Sequence, residues 1–594
     1  MTTSAHTSVR DPEAAVAGPS PGAGAPGGWR NRVRLGACLL PALVIGFAGF
    51  QRRWMSDDGH IYVRTVRQVL AGHGPVFNAG ERAESSTGTL WQWLLVAGGA
   101  TGADVATVAM YGGLLFTAVG FALAGVGAMR LRQRQHLPLS LRGGGESAGR
   151  GLLVPCGALV LLALPPVWDF ATSGLETGLA TCWIAGAWLA LVARPRSLVT
   201  CAVLGLGPLV RPDLALVSVV FLAAQWVTAR PSWRGALAGA GVAGALPVAY
   251  EIFRMGYYGH LVPLPGITKE ASRSLWGRGF DYLRDFTEPY ALWVPVVALV
   301  SVGTVAAHAG RFGVRQVRDP GVTRDSAPVV APVLAGALCW LYVIKVGGDF
   351  MHGRMFLPGL LLMLLPVFMV PLTRAWGVAA VVVGVWAVAC AGMWRVPYEG
   401  RIGAGGIADE RGVYVRQNAA PHPLHHDFAG QPGNRAYAAL VRERARSGAP
   451  ALLLAQTPVA GGAPGVTGVY NTLGFSGSVV PLSGAALDPI GLAYPLAAHS
   501  EGLVNGRVGH DKRLPDEWIV AERGAADVPE GLDPARVEAA RRALRCGPLA
   551  ELRAATRAPL TVGRFWRNLT GSVERTSFRF PTDPVRAEKE LCGR

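Results

Sequence analysis

Charged side chains are scarce in this sequence, at 16% of 594 residues against 51% hydrophobic ones. With a mean hydropathy of +0.31, this excludes a chain disordered over most of its length and an ordinary soluble enzyme, and the length exceeds that of one domain. Lysine is nearly missing, since almost all of the 56 basic residues are Arg. The formal charge of +17 is spread between apolar runs instead of being gathered on one face, which argues against nucleic acid as a partner. The sequence has no Walker loop, no Gly-x-Gly-x-x-Gly opening a helix and no Cys/His spacing suited to zinc, so the usual signatures of nucleotide cradling and zinc chemistry are missing. Repeated halves with Gly/Pro-broken spans, the mark of many transporters, are not found either.

The sequence has instead a series of apolar runs. Residues 1–28, rich in Ala, Gly, Pro and Ser, bury too little apolar surface to offset chain entropy and read as a disordered tail. Residues 35–50 follow Arg30, Arg32 and Arg34 and end at Gln51-Arg52-Arg53 without a small-residue cleavage site, so they read as a first span and not a signal peptide. Further runs centre near Phe116, Leu159, Ala185, Leu204, Phe221, Ala243, Val297, Leu338, Leu362 and Val383, which predicts eleven spans. Alternate loops sort by charge. One set is rich in Arg (30–34, 130–150, 194–196, 230–234, 311–324, 374) and reads as cytoplasmic; the other carries Asp57, Asp58, Asp169, Glu176, Asp213, Glu251, Asp281 and Asp349 and reads as external. Counting residues 89–100 as a span would invert every later loop, so they read as an interfacial helix.

After about Met393 the hydropathy falls, and short apolar runs such as Ala451–Leu454 alternate with Gly, Pro and Asn turns. The expected architecture is a polytopic α-helical membrane protein with a cytoplasmic tail (1–28), a transmembrane domain (29–394) whose first outer loop covers 51–104, and a C-terminal extracytoplasmic mixed α/β cap domain (395–594). Six of the eight cysteines fall in apolar spans, where a thiol is a small hydrophobe. Cys546 and Cys592 stand alone in the tail domain and form a candidate disulfide in an oxidising compartment.

The run Trp54-Met55-Ser56-Asp57-Asp58-Gly59-His60 carries the sharpest chemical signal. Adjacent carboxylates at a low-dielectric boundary repel, which raises the apparent pKa of one and suits it to accept a proton from a hydroxyl near neutral pH. The next residues, Ile61, Val63, Val66, Val69 and Leu70, have helical spacing and predict a helix lying flat on the bilayer surface. Glu81 and Arg82 close the following turn, with a local ion pair as the plain alternative to a functional role. A second cluster on the expected outer face holds Arg211, Asp213, Arg254, Tyr258, Lys269, Asp349, His352 and Arg354. Some of these Arg have the alternative of snorkelling, but the guanidinium fork beside glycines suits phosphate oxygens. Carboxylates beside a phosphate clamp at a membrane surface describe transfer from a lipid phosphate to a hydroxyl. Arg and His can stabilise the leaving charge, so no metal is required, although Asp57 and Asp213 offer oxygen ligands to a divalent cation.

Longer stretches then resemble the terminal β-1,2-arabinofuranosyltransferases of actinobacteria, members of the GT-C superfamily. Gln51 to Gly59, Gly74-Pro75-Val76-Phe77-Asn78, residues 169–176, 209–212, 253–259 and 289–295, Gly347 to Arg354 and, in the tail, residues 495–499 and Gly509-His510-Asp511-Lys512 carry the similarity. The resemblance implies a GT-C fold in the plasma membrane, decaprenylphosphoryl-β-D-arabinofuranose as donor, nonreducing ends of cell-wall arabinan as acceptor, and Asp57 and Asp58 as catalytic. The residues of the second cluster then give Arg211, His352, Arg354, Arg254 and Lys269 as expected phosphate contacts and Asp213, Tyr258 and Asp349, with His510 of the tail, as expected sugar contacts. A β donor yielding a β linkage is net retention, so one carboxylate is a base, a nucleophile or an ion-pair stabiliser. His60, Tyr62 and Leu264-Pro265-Gly266 depart from the family pattern. The alternatives are a GT-C transferase for another polyprenyl-phosphate sugar such as mannose, or a polyprenyl-lipid transporter or cell-wall scaffold.

Overall fold

Small residues decide how the helices meet. An added Cβ on Gly178 would lie 2.1 Å from the carbonyl oxygen of Gly113, so glycine lets helix Thr177–Ala193 run against helix Val105–Gln135 at backbone contact, as in other membrane bundles. The computed structural model describes residues 28–135, 153–270, 273–309, 320–460, 462–504, 506–524 and 528–593. The expected tail before Gly28 and most of the Arg-rich loops 130–150 and 311–324 lie outside these residues.

Among the described residues, five helices are long and apolar enough to cross a membrane: Val105–Arg134, Pro212–Ala229, Trp233–Tyr257, Ser326–Lys345 and Arg374–Gly392. Shorter apolar helices include Leu35–Gln51, Thr177–Ala193, Leu198–Val210, Trp293–Thr304 and Arg354–Val367. Near Leu159 the run is broken at Leu164-Pro165, which separates helix Cys156–Ala163 from Pro165–Asp169. Helix Thr89–Gly99 has 11 residues, about 16 Å at 1.5 Å per residue, well short of a hydrocarbon core of about 30 Å. Cys38, Cys156, Cys201, Cys339 and Cys390 are buried as free thiols.

The C-terminal residues form a mixed four-stranded sheet. Ala451–Leu454 pairs antiparallel with Thr457–Ala460 and parallel with Val466–Val469, which pairs parallel with Ala485–Leu487. Helix Leu473–Val479 makes the crossover between the last two strands. One apolar core gathers Leu452, Leu487, Tyr494, Trp518, Ile519, Leu549 and Phe580. A second, around Tyr437, Leu453 and Phe475, takes in Ile61 and Phe77 of the first loop, so that loop and the sheet share a core. Cys546 and Cys592 are joined in a disulfide that ties the start of helix Gly547–Arg557 to the end of helix Pro584–Cys592.

The first-loop helix, Asp57–Leu70, does not lie on an open surface as its periodicity suggests. It is buried against Leu473–Val479 on one side and helices Thr89–Gly99 and Val105–Gln135 on the others. Its polar side chains have internal partners. Arg64 is 1% exposed and donates to the carbonyls of Phe77, Gly477, Val480, Pro481 and Gly484, replacing the water that a buried guanidinium would otherwise lose. Glu81 and Arg82 do not pair locally either. Glu81 binds Arg523 and Arg557, while Arg82 donates to the carbonyls of Tyr257 and Ala555, both pinning the loop to distant elements.

Candidate active site

Ser56 starts the first-loop helix: its hydroxyl accepts from the Gly59 amide at 3.0 Å and donates to the Ser173 carbonyl at 2.8 Å. The two aspartates occupy the first turn, where the helix dipole favours negative charge, but they point to different places. Asp57 is 8% exposed and accepts from the amides of Gly474 (3.0 Å) and Phe475 (2.7 Å) in the crossover helix. Burial and then the Asp58 charge push its carboxyl up to about 7, against the pull of those two amides. Asp58 instead lines a cavity of about 790 Å³, within the size range of small-ligand sites.

That cavity is walled by the first loop, the turns at 175–176 and 211–213, residues from 261–270, 275–278 and 342–355, and C-terminal residues around 508–511 and 576–579. It brings together six of the residues expected from sequence: Asp58, Arg211, Asp213, Lys269, Asp349 and Arg354. Arg354 donates to Asp349 from Nε (2.9 Å) and Nη2 (2.8 Å) and holds Nη1 4.0 Å from Asp58 Oδ2. Lys269 Nζ lies 3.3 Å from the other Asp349 oxygen. Burial alone would push the Asp349 carboxyl up, but the Arg354 and Lys269 charges outweigh it and hold it down at about 2. Arg211 grips both Asp213 oxygens, at 2.9 and 3.0 Å, and its buried Nη1 has no hydrogen-bond partner among the described residues. A guanidinium that lines the cavity and keeps an unpaired N–H is suited to an anion.

Several expected residues sit elsewhere. Each nitrogen of Arg254 donates inside the protein, to Glu84 (2.6 Å from Nε) or to Glu251, and the side chain is not in the cavity wall. The Tyr258 hydroxyl donates to the Pro75 carbonyl at 2.7 Å and its ring is buried, which fixes the turn at 74–77 and leaves nothing for a sugar. His352 belongs to a separate network, 2.6 Å from Asp285 and 3.0 Å from the Tyr290 hydroxyl, and is not in the cavity wall. The His510 ring packs edge-on against Phe350, while its neighbours Gly509 and Asp511 face the cavity. For a cation, the Asp57 oxygens are held by amides and those of Asp213 by Arg211, so the two residues do not fit that role. Among the described residues no group of three or more His, Cys, Asp or Glu is arranged around a common point suited to a metal.

Other lining residues escaped the sequence reading. Tyr62 donates to Glu176 at 2.9 Å and accepts from the Gly88 amide at 2.8 Å; its departure from the apolar pattern was the one signal available. Arg278 and Asp511, 233 positions apart, pair at 2.9 Å across the cavity wall, a meeting with no local trace. Glu410, at the start of helix Glu410–Asn418, lies outside that wall and is buried, and its Oε2 has no partner among the described residues. Burial and then the Asp58 charge push its carboxyl well above the usual range.

Residues 460–590 match the family model for the AftB family C-terminal domain. Over 93% of its length the chain is 36% identical to the terminal beta-(1->2)-arabinofuranosyltransferase of Mycobacterium tuberculosis, 96% of which is covered. It is 34% identical over 90% of its length to the protein of the same name from Corynebacterium glutamicum, 84% of which is covered. No solved structure matches. The chain belongs to the family of terminal β-(1→2)-arabinofuranosyltransferases.

Proposed function

We propose that this chain transfers an arabinofuranosyl residue from decaprenylphosphoryl-β-D-arabinofuranose to the nonreducing ends of arabinan, forming terminal β-(1→2) linkages, and that the transfer takes place in the cavity lined by Asp58. The observation that carries the assignment of the site is the meeting, in that one cavity, of Asp58 with Arg354, Lys269 and an Arg211 that has an unfilled donor. The cations bind the phosphate of the lipid donor and stabilise the charge that develops on it as the C1–O bond breaks. Asp58 acts on the sugar or on the attacking hydroxyl. Net retention is met if it first attacks C1 or shields an ion pair, and then lets the acceptor enter from the face that the phosphate left. Asp57 stays behind it as a positioning residue.

The alternation of Arg-rich and acidic loops supports eleven spans, a cytoplasmic N-terminus and a C-terminal cap domain on the extracytoplasmic side. The test is transfer of labelled arabinose from a synthetic polyprenylphosphoryl arabinofuranose to an arabinan oligosaccharide. A β-1,2-linked product from wild type and none from Asp58→Asn is the expected result. Full activity in Asp58→Asn overturns the site, and activity with a mannosyl lipid alone overturns the donor.

A further inference from the structure

Helix Val562–Thr570 has a face that nothing among the described residues covers. It turns Arg564 and Asn568 inward and Val562 and Trp566 outward, 77% and 58% exposed, with Leu560 and Val573 extending the same apolar patch. Its inward side docks on the end of the span Trp233–Tyr257. An added Cβ on Gly256 would lie 2.1 Å from the Phe565 ring, and Asn568 donates to the Gly256 carbonyl at 3.1 Å. That span faces outward along most of its length, with Leu246, Val248 and Ile252 exposed. Its 25 residues extend about 37 Å, longer than a hydrocarbon core of about 30 Å. Trp233 at one end and Tyr257 at the other sit where aromatic belts mark the lipid headgroups. Gly256 is therefore at headgroup level, and the helix docked on it lies at that level too.

We propose that residues 560–573 are a membrane-interface anchor that beds the C-terminal domain in the lipid headgroup region. Val562 and Trp566 reach the acyl boundary, Leu560 and Val573 flank them, and the exposed Arg567 on the same helix meets lipid phosphates. The patch continues the lipid-facing surface of the span, which selects lipid over a protein partner. The next helix, Ser572–Ser577, carries Thr576 and Ser577 into the cavity wall, so the anchor also sets the height of the cavity above the bilayer. This holds whichever sugar is transferred.

The test uses the full chain reconstituted in vesicles of phosphatidylcholine and phosphatidylglycerol, with a spin label at Val562→Cys, Trp566→Cys or Val573→Cys and the identically treated wild type as background. Power saturation compares access to oxygen, which concentrates in the acyl region, with access to a water-soluble nickel chelate. Oxygen access exceeding nickel access at 562 and 566 is the expected result. Nickel access exceeding oxygen access at both positions shows a water-facing helix and overturns the anchor. Exclusion of both probes shows a protein-covered face, such as contact with a second copy, and overturns it equally.

Discussion

The carbonyl oxygen of Asp57 lies so close to Gly474 that a Cβ added there would sit 1.9 Å from it, and the Gly474 amide in turn donates to the Asp57 carboxylate. The first loop and the crossover helix are thus fitted at backbone distance. Gly474→Ala must push the two apart, at about 1–3 kcal/mol in stability, and displace Asp58 by way of its neighbour. The expected outcome is a fall in kcat of at least about tenfold, in line with the sensitivity of catalysis to small displacements, with little change in donor KM. An unchanged kcat would remove Asp57 from any positioning role.

Asp58 and Asp57 should separate in their asparagine variants. Asp58→Asn removes the charge facing the cavity while leaving the helix cap intact, so kcat drops by about 10²-fold or more at unchanged thermal stability. Asp57→Asn keeps one acceptor but turns a side-chain N–H₂ towards a backbone donor, which costs about 1–3 kcal/mol and shows mainly as a lower Tm. Transfer rates and unfolding curves on both variants check this, and a reversed pattern would exchange the two roles.

Elements marked by long apolar runs are legible in the sequence alone. Each predicted apolar centre falls in a helix, because long Leu/Val/Ala runs specify a helix by composition alone. The acid pair, Arg211, Lys269 and Arg354 were legible because charge is rare in this chain and stands out near span ends. The fate of Asp57 was not, since it depends on amides 417 and 418 positions away. The Arg254 and Tyr258 roles failed for the same reason: Glu84 and Pro75 satisfy them, and a pairing across 170 or more residues leaves no spacing to read. The surface reading of Asp57–Leu70 failed because its polar face meets carbonyls instead of water.

Acidity offers an independent handle on Asp57. Its folded pKa of about 7 lies above the ~3.9 of an unperturbed Asp, so between about pH 4 and 7 the folded chain holds a proton that the unfolded chain has released. Its contribution to stability is therefore greatest below about pH 4 and declines as pH rises to about 7. His60, which burial lowers to about 4, acts with the opposite sign in part of that window, so the total curve is not diagnostic. The difference between wild type and Asp57→Asn is. Wild-type Tm minus variant Tm should fall between pH 5 and 7 and level off above 7.5, and a flat difference would contradict the buried, proton-holding Asp57.

Arg211→Lys tests the unfilled donor. Lysine has one nitrogen in place of three, so it cannot span both Asp213 oxygens as the planar fork does and also place a donor where Nη1 stands, and the loss is that of a charge-assisted hydrogen bond, about 1.5–3 kcal/mol. The expected outcome is a donor KM raised roughly tenfold or more, while the KM for the arabinan acceptor stays the same. Equal increases in both constants would mean that Arg211 only shapes the cavity.

The Cys546–Cys592 bridge encloses a separation of 46 residues containing helices Gly547–Arg557, Val562–Thr570 and Ser572–Ser577 and most of Pro584–Cys592, the first and last of which pack into the C-terminal core. Closing a loop of that length removes enough freedom from the unfolded chain to stabilise the folded one by about 4 kcal/mol in the chain-entropy model. The six remaining cysteines are unbridged, so denaturation without reductant should expose six thiols, rising to eight after reduction. Cys546→Ser should lower the Tm and increase proteolysis within residues 547–591, where the constraint is lost. The thermal midpoint of a membrane helix bundle need not follow that of the C-terminal region, so unfolding is best followed by protease cutting in this segment. Eight thiols before reduction would show the bridge is not formed, and six thiols with an unchanged cutting rate in Cys546→Ser would show that it forms without stabilising the segment.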